Sequence, residues 1–597
     1  MKVLCCVIAL IFLYPLEPFS QAVVIGSKDG PPIKVNSSSS WQPLYHLDSA
    51  SAEKTVGETG LIYRQLTASR FLHQATLGFD QGDIDRLTDL NFDKWIDNQV
   101  RIKPSYYLPA MDTIFKEVYD WYFKFNTDSA DAPTYYSYIY YNYAFWENHL
   151  KQKDKLRQRM ALALSEIFVI SVNSDLGGMG RAVASYYDLF MKHAFGNYKN
   201  LLQDVALHPS MGYYLSHLNN PREIPEENIH PDENFAREIM QLFTIGLYEL
   251  NPDGSRKLDP AGNPIPTYDQ ADIKELAKVF TGLSFSGVVP NMYVDTAFFG
   301  VNFYIGDFLL PMKMYNEWHE PGTKKLADDY VIPDGQPGMK DIQDAIDHLF
   351  NHPNTGPFIC KQLIQRLIKS NPSSHYVKRV ADVFADDGSG VRGNFEAVLK
   401  AILLDPEARD CEWLEDPANG QLREPITRYT HFASATNPEQ YYGRYWNASI
   451  DYLNNVGQIP LASPTVFNFF LPTYAPLGQI KEMDLVGPEF QIHNSRTSIG
   501  YLNMVNFWAV YNYLLYSWTE NDPPTSINLD EFKKYAREPE TLINKLDMLL
   551  TYGNLSDRTR KIIAEAVEEL VIGDYREDRV RLALYLISIS PDFAIIK

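Results

Sequence analysis

The sequence predicts a mainly α fold: a single large multi-helix body over residues 64–597, with one short β-hairpin excursion. Three observations carry this reading. Apolar residues return at the helical period in segment after segment. Strand signals are scarce, the clearest lying in one turn-rich stretch. No Gly/Ser-rich or Pro-rich linker interrupts residues 64–597, and no fixed repeat of solenoid length is present.

The elements follow in order. Thr67 is placed to cap a helix that buries Phe71, Leu72 and Ala75 and stops at Gly78. Asp80 with Asp83 opens another that buries Ile84, Leu87 and Leu90. Met160, Leu164, Ile167, Phe168 and Ser171 mark one stripe of a long helix through Leu156–Val172. The same spacing recurs at Ile273/Leu276/Ala277/Phe280, Ile342/Ala345/Ile346/Leu349, Val377/Val380/Val383/Phe384 and Phe395/Val398/Leu399/Ile402. Between Leu247 and Tyr268, two turn clusters at Asn251–Gly254 and Asp259–Gly262 read as the β-hairpin excursion. The aromatic run Tyr135, Tyr136, Tyr138, Tyr140, Tyr141, Tyr143, Phe145, Trp146 has two readings. It is a wall sealing the core, the favoured one, or an exposed platform for sugar rings or a partner.

Ahead of this body lies an address. Lys2, the apolar stretch Val3–Tyr14 and the small residues Ser20 and Ala22 form a signal peptide over residues 1–22, with cleavage expected after Ala22. The apolar run is shorter than the ~20 residues of a membrane span, which disfavours an uncleaved anchor. Cys5 and Cys6 come too early for a lipid acceptor. Residues 23–63, with Ser37–Ser40 in a row, read as a mobile N-terminal leader. The expected product is periplasmic or secreted. No membrane span is expected after cleavage, because Met504–Trp518 is short, contains Asn506 and Asn512, and reads as a core helix. Cys360 and Cys411 remain after cleavage; Cys360, among Phe358, Ile359 and Leu363, reads as a buried thiol.

Composition bounds the function. The 597 residues carry 54 Lys plus Arg against 75 Asp plus Glu, a net charge of −21. That surface repels phosphate backbones, so no nucleic-acid partner is expected. With 45% hydrophobic and 22% charged residues, the chain has the balance of a globular protein with a large core.

Several motifs are weaker than their letters. Gly388-Ser-Gly390-Val-Arg-Gly393 matches a dinucleotide fingerprint, yet a helix precedes it where a strand is needed, and Asp386 and Asp387 repel phosphate. It reads as a helix–turn–helix loop. His348 and His352 stand four apart, but Pro353 pulls His352 from helical geometry, so a cap is favoured over a metal pair. The usual zinc-protease, CxxC and GxSxG signatures are absent from the sequence. Oxygen-rich loops at Asp386–Asn394 and Asn251–Asn263 lack the ligand order of an EF-hand calcium site.

The stretch from His230 to Gly246 is more informative. Phe235, Ile239, Leu242 and Phe243 form its apolar stripe, and Asn234, Arg237, Glu238 and Gln241 share another face. That face is either solvated, with Glu233–Arg237 as an i,i+4 pair, or it lines a polar cleft. Downstream, the loop Trp318-His319-Glu-Pro-Gly322-Thr-Lys324 brings a His, a Gly and a Lys within a few residues. If it folds over the first face, Glu238 and His319 are the candidate catalytic pair, and Asn234, Arg237, Gly322 and Lys324 the candidate binding residues. His230 and His319 are the candidate metal ligands; the metal, and any cofactor, is left unspecified.

Taken together these segments resemble one family, the exported bacterial domain-of-unknown-function family number 1800, from about Arg64 to the C-terminus. The resemblance rests on Arg70–Gly78, Asn234–Gly246, His319–Lys324, His352-Pro-Asn-Thr355, Gly390-Val-Arg-Gly393, Arg423-Glu-Pro425, Ser463–Phe470, Pro488–Ile492, Arg579-Val-Arg581 and Ser590-Pro591. The family motif usually has Glu where this chain has Gln241; Arg237 and Glu238 match. The resemblance implies no established activity. It implies a sulfatase-like partner encoded nearby and work on envelope or extracellular polymers, polysaccharide among them. Two functions follow as expectations. The first is a helical binding or partner protein working with that enzyme. The alternative is a hydrolase-like enzyme with a His/Glu/Arg/Lys site acting on an anionic substrate.

Overall fold

The periodic segments fold as helices. The computed structural model describes residues 61–597 except 126–131, 134, 291–293, 411–415, 417, 441–442, 446–451, 453–454 and 512–524, together with two paired strands, Val24–Ile25 and Ile33–Lys34. The expected signal peptide, most of the leader, Cys411 and the end of the Met504–Trp518 stretch lie outside the described residues. The architecture is mainly α, with small two-stranded antiparallel sheets. One continuous hydrophobic cluster runs from Ala68 to Phe593. Among the described residues no helix is long and apolar enough to cross a membrane.

Helix α1 (Leu61–Ala75) begins earlier than the Thr67 cap predicts. Thr67 instead donates its hydroxyl to the Arg64 carbonyl inside the helix, while Phe71, Leu72 and Ala75 are buried as expected. Helix α2 (Gln81–Thr88) has the Asp80/Asp83 capping box. Helix α3 (Tyr107–Phe125) packs against α4 (Tyr138–Lys151). In α4, Tyr140, Tyr141, Tyr143, Phe145 and Trp146 are all buried, so this aromatic run is a core wall; only Tyr135, before the helix, stands largely exposed.

Helix α5 covers Lys155–Ser165, and every residue from Leu156 on is buried, as in a helix enclosed on all sides. The longer helix to Val172 is a correction. The chain leaves the helix at Glu166, and its next backbone groups pair across the core: Val172 N–H with Leu461 O at 2.8 Å, and the Ser171 hydroxyl with Ser463 O at 2.6 Å. Apolar periodicity could not detect this, because a fully buried segment is apolar in any conformation.

After a one-turn helix α6 (Asn234–Glu238), residues Ile239–Thr244 widen into a π-turn, with Gly246 N–H and Ile245 N–H both on Met240 O. The extra residue per turn rotates the face. Met240 is buried with Phe235, Ile239 and Phe243, and Leu242 is only half-buried, which corrects the predicted stripe. The Leu247–Tyr268 excursion forms as predicted, through bridges Tyr248–Pro266, Leu250–Arg256 and Leu258–Pro264.

Helix α7 (Gln270–Val279) leads to strand β1 (Leu283–Ser284), which pairs with β2 (Lys313–Met314). Strand β3 (Lys324–Lys325) pairs with β4 (Val331–Ile332) and packs along α7. Helices α8 (Gly338–Asn351), α9 (Thr355–Leu367), α10 (Ser374–Ala385) and α11 (Phe395–Leu403) follow. The Gly388–Gly393 segment is the turn between α10 and α11, as expected. His352 caps α8: its Nδ1 accepts the Asn354 N–H and its Nε2 lies 3.0 Å from Asp328. Strands β5 (Gln421–Leu422) and β6 (Ile595–Ile596) tie the C-terminus to the start of α12 (Pro425–Ala435), and α13 (Ser495–Ala509) covers the first part of the Met504 stretch.

Candidate functional site

The His–Gly–Lys loop folds over the start of α8. His319 follows the single 3-10 turn Asn316–Trp318, whose Trp318 ring stacks on Phe299 with centroids 4.6 Å apart. Two glycines make room for it. A Cβ on Gly282, which has φ +81°, would lie 2.9 Å from the His319 backbone nitrogen, and one on Gly338 would lie 2.8 Å from the imidazole.

The loop's histidine and lysine meet a carboxylate that sequence reasoning missed. Asp341 Oδ2 lies 3.0 Å from His319 Nε2 and 2.6 Å from Lys324 Nζ. His319 Nδ1 lies 3.0 Å from the Thr281 carbonyl oxygen, and Lys324 Nζ also donates to Gly322 O at 3.2 Å. Lys324 and Asp341 are almost fully buried, at 2% and 1% exposure. Burial acts to raise the Asp341 carboxyl, but hydrogen bonds from His319 and Lys324 outweigh it and hold the group below its usual value. Asp341 also sits in the first turn of α8, where the helix end favours negative charge. A signal for it was present: Asp341 adjoins the buried Ile342/Ala345 stripe, a place where a carboxylate needs a partner.

Above this floor lies a hollow of about 350 Å³. Its mouth carries Glu320 and Asp334 beside Asn316, Gln336 and three prolines, Pro321, Pro333 and Pro337. Glu320 Oε2 accepts the Glu223 N–H at 2.7 Å, and Asp334 Oδ1 accepts the Gly322 N–H at 2.9 Å, which leaves the second oxygen of each for a ligand. Gly322, at φ +87°, supplies the turn.

The other predicted residues form a separate group. Arg237 pairs with Glu233 at 3.2 Å, the expected i,i+4 bridge, and Glu233 accepts from Gln270 at 2.6 Å. Glu238 is buried, its Oε2 without a hydrogen-bond partner, and burial raises its carboxyl against the opposing effect of Arg237. Its electrostatic neighbours are Tyr214 and Tyr268. Asn234 lies half-buried and donates its N–H to Asp232 at 2.8 Å. This group meets α7 at Gln270, whereas His319 meets Thr281 beyond its other end. The Glu233–Gln270 and His319–Thr281 contacts therefore stand about 15 Å apart along α7, although Phe235 of the first group's helix packs on Phe280 at 4.7 Å. Neither Arg237 nor Glu238 lines the His319 hollow. His230 is exposed, pairs with Glu223 at 3.2 Å and does not line the hollow. Among the described residues no three His, Cys, Asp or Glu side chains converge to hold a metal. At the hollow itself, the Lys324 ammonium occupies the Asp341 oxygen that His319 also uses.

Fold and site together define a class: a mainly helical protein with a surface hollow whose lysine is neutralised from beneath. The chain belongs to the family described as a protein of unknown function, DUF1800, whose model matches residues 70–595. No curated protein and no solved structure matches the chain.

Proposed function

We propose that this protein is exported and works as a helical binding partner of a sulfatase-like enzyme on envelope or extracellular polymers. On this reading the Asp341-floored hollow is the ligand contact. The observation that supports it is the charge layout. Lys324, a candidate binding residue in the sequence, and His319, a candidate catalytic one, both pair with Asp341 Oδ2, while the mouth presents the carboxylates Glu320 and Asp334. Free carboxylate oxygens accept from hydroxyl or ammonium groups and repel sulfate, phosphate or uronate. The ligand is therefore a neutral or amino-bearing stretch of polysaccharide.

The hydrolase reading is disfavoured by the same geometry. A proton carrier needs a ring nitrogen within reach of substrate, and both nitrogens of His319 face internal oxygens. The test is titration of the mature protein with neutral, amino-bearing and sulfated oligosaccharides, beside a Glu320→Gln/Asp334→Asn double variant. Binding of the first two classes, weakened at least tenfold in the double variant, is the expected result. Preference for the sulfated class would reverse the assignment, and hydrolysis of any of them would return the enzyme reading. Co-purification with the sulfatase-like protein tests the partnership separately.

A further inference from the structure

Five charged side chains meet in the middle of the helical body, away from the hollow. Arg159 comes from α5 and Arg366 from α9; Glu166 ends α5, Glu424 precedes α12, and Glu489 lies in the 3-10 turn Pro488–Gln491. None is more than 5% exposed. Segments that carry the family resemblance frame the group: Arg423-Glu424-Pro425 and Pro488–Ile492 supply two of the acids, and Arg70–Gly78 and Ser463–Phe470 line small hollows on either side. These hollows, about 20 Å³ and about 10 Å³, each have room for roughly one water.

The hydrogen bonds leave one contact uncompensated. Arg366 Nη2 donates to the Glu166 carbonyl at 3.0 Å, and its Nε stands 3.5 Å from Glu166 Oε2. Arg159 donates to the Arg366 carbonyl. Gln421 donates to Glu489 Oε1 at 3.0 Å, and Gln458 donates to Glu424 Oε2. The Glu166 and Glu424 carboxyls lie in hydrogen-bonding contact with each other, and Glu166 Oε2 and Glu424 Oε1 receive no hydrogen bond from any other group. Two carboxylates in contact, away from bulk water, cannot both be charged.

We infer that Glu166 and Glu424 form a proton-binding site that holds one proton between them, and that its occupancy couples the junction between the end of α5 and the start of α12 to pH. With that proton in place, the remaining two carboxylates balance Arg159 and Arg366. Without it the core carries an unmatched negative charge. Tyr187 faces Glu166 with its hydroxyl pushed up by burial. Across the first hollow lie Arg423, His73 and His431, and burial drives both imidazoles well below their usual range, so they supply no counter-charge at neutral pH. Arg423, a further cation across the first hollow, stacks on the Phe593 ring and faces Tyr552 and Tyr501 rather than the acids. Ser370 and Gln421 face Glu489.

The sign of the pH dependence follows. Burial first, then Glu424, raises the Glu166 carboxyl, and burial lifts Glu489 to about 7. A carboxyl with a raised folded value binds more protons folded than unfolded, so stability falls as pH rises above the usual ~4.5. For Glu489 the fall ends near pH 7; the raised Glu166 carboxyl adds a fall of the same sign.

The test uses the full mature chain. Infrared difference spectra at pH 8, above the titration of Glu489, read the carbonyl band of a protonated carboxyl, and urea unfolding is followed from pH 5 to pH 8. Glu166→Gln and Glu424→Gln each place an amide donor where the shared proton sat, so the fold is kept. A band at pH 8 that is lost in either variant, with a flattened stability slope, is the expected result. Absence of the band in the wild type overturns the proposal without any variant. So does a band and slope unchanged in both.

Discussion

The hollow at Asp341 and the buried group at Glu166 use the same ingredients with opposite balance. At the hollow, one carboxylate is shared by an ammonium and an imidazole, so a single acid has two partners. In the core, three carboxyls face two guanidiniums, and two of the acids touch. The first arrangement holds a loop at the surface without needing a ligand. The second is stable only with a proton. The comparison teaches that burial alone does not set the protonation of an acid; the count of matched partners does.

Removing a partner breaks the comparison most sharply. Arg366→Ala strips Glu166 of its nearest cation and should cost about 3–5 kcal/mol in urea unfolding, as for other disrupted buried ion pairs. A loss below about 1 kcal/mol would mean that the centre is far better hydrated than its small hollows suggest. Asp341→Ala removes the acceptor that Lys324 and His319 share and should cost about 2–3 kcal/mol. Amide exchange should quicken over residues 319–325 specifically, and uniform protection there would show that the backbone, not the ion pair, holds the loop.

The pH profiles then separate the regions by sign. Asp341 has a lowered folded value, so its contribution is present above the ordinary carboxylate range and is lost as pH falls through the folded value, in acid below about pH 4. The Glu489 contribution runs the other way, its loss falling between about 4.5 and 7 as pH rises. Asp341→Asn should therefore flatten only the acid limb and Glu489→Gln only the neutral one; the same change in both limbs for either variant would merge what the structure separates. Smallest in stability is the Glu320→Gln/Asp334→Asn pair, expected within about 0.5 kcal/mol of wild type, since both side chains lie at the mouth. A larger loss would make these acids part of the loop's scaffold.

Much of the fold was legible because helices that face a core carry their period in the chain. The stripes at Ile273–Phe280, Ile342–Leu349, Val377–Phe384 and Phe395–Ile402 each became a helix. The signal failed where burial is complete on every side, at Ile167–Val172, and where a π-turn rotated the face after Ile239. For the site, the loop residues His319, Gly322 and Lys324 were legible and do gather, but Arg237 and Glu238 stay outside the hollow.

What the sequence determined by itself was local or cumulative: the helical class, the hairpin excursion, the caps at Asp80 and His352, the acidic balance and the family. Each depends on neighbouring residues or on sums over the chain. The tertiary structure alone decided which charges meet. Asp341 lies 17 residues from Lys324, and Glu166 and Glu424 come from distant segments. Whether a lysine is a clamp or a counter-ion, and whether a glutamate is ionised, depends on what stands within a few ångströms in space, and Coulomb energy there does not follow order along the chain.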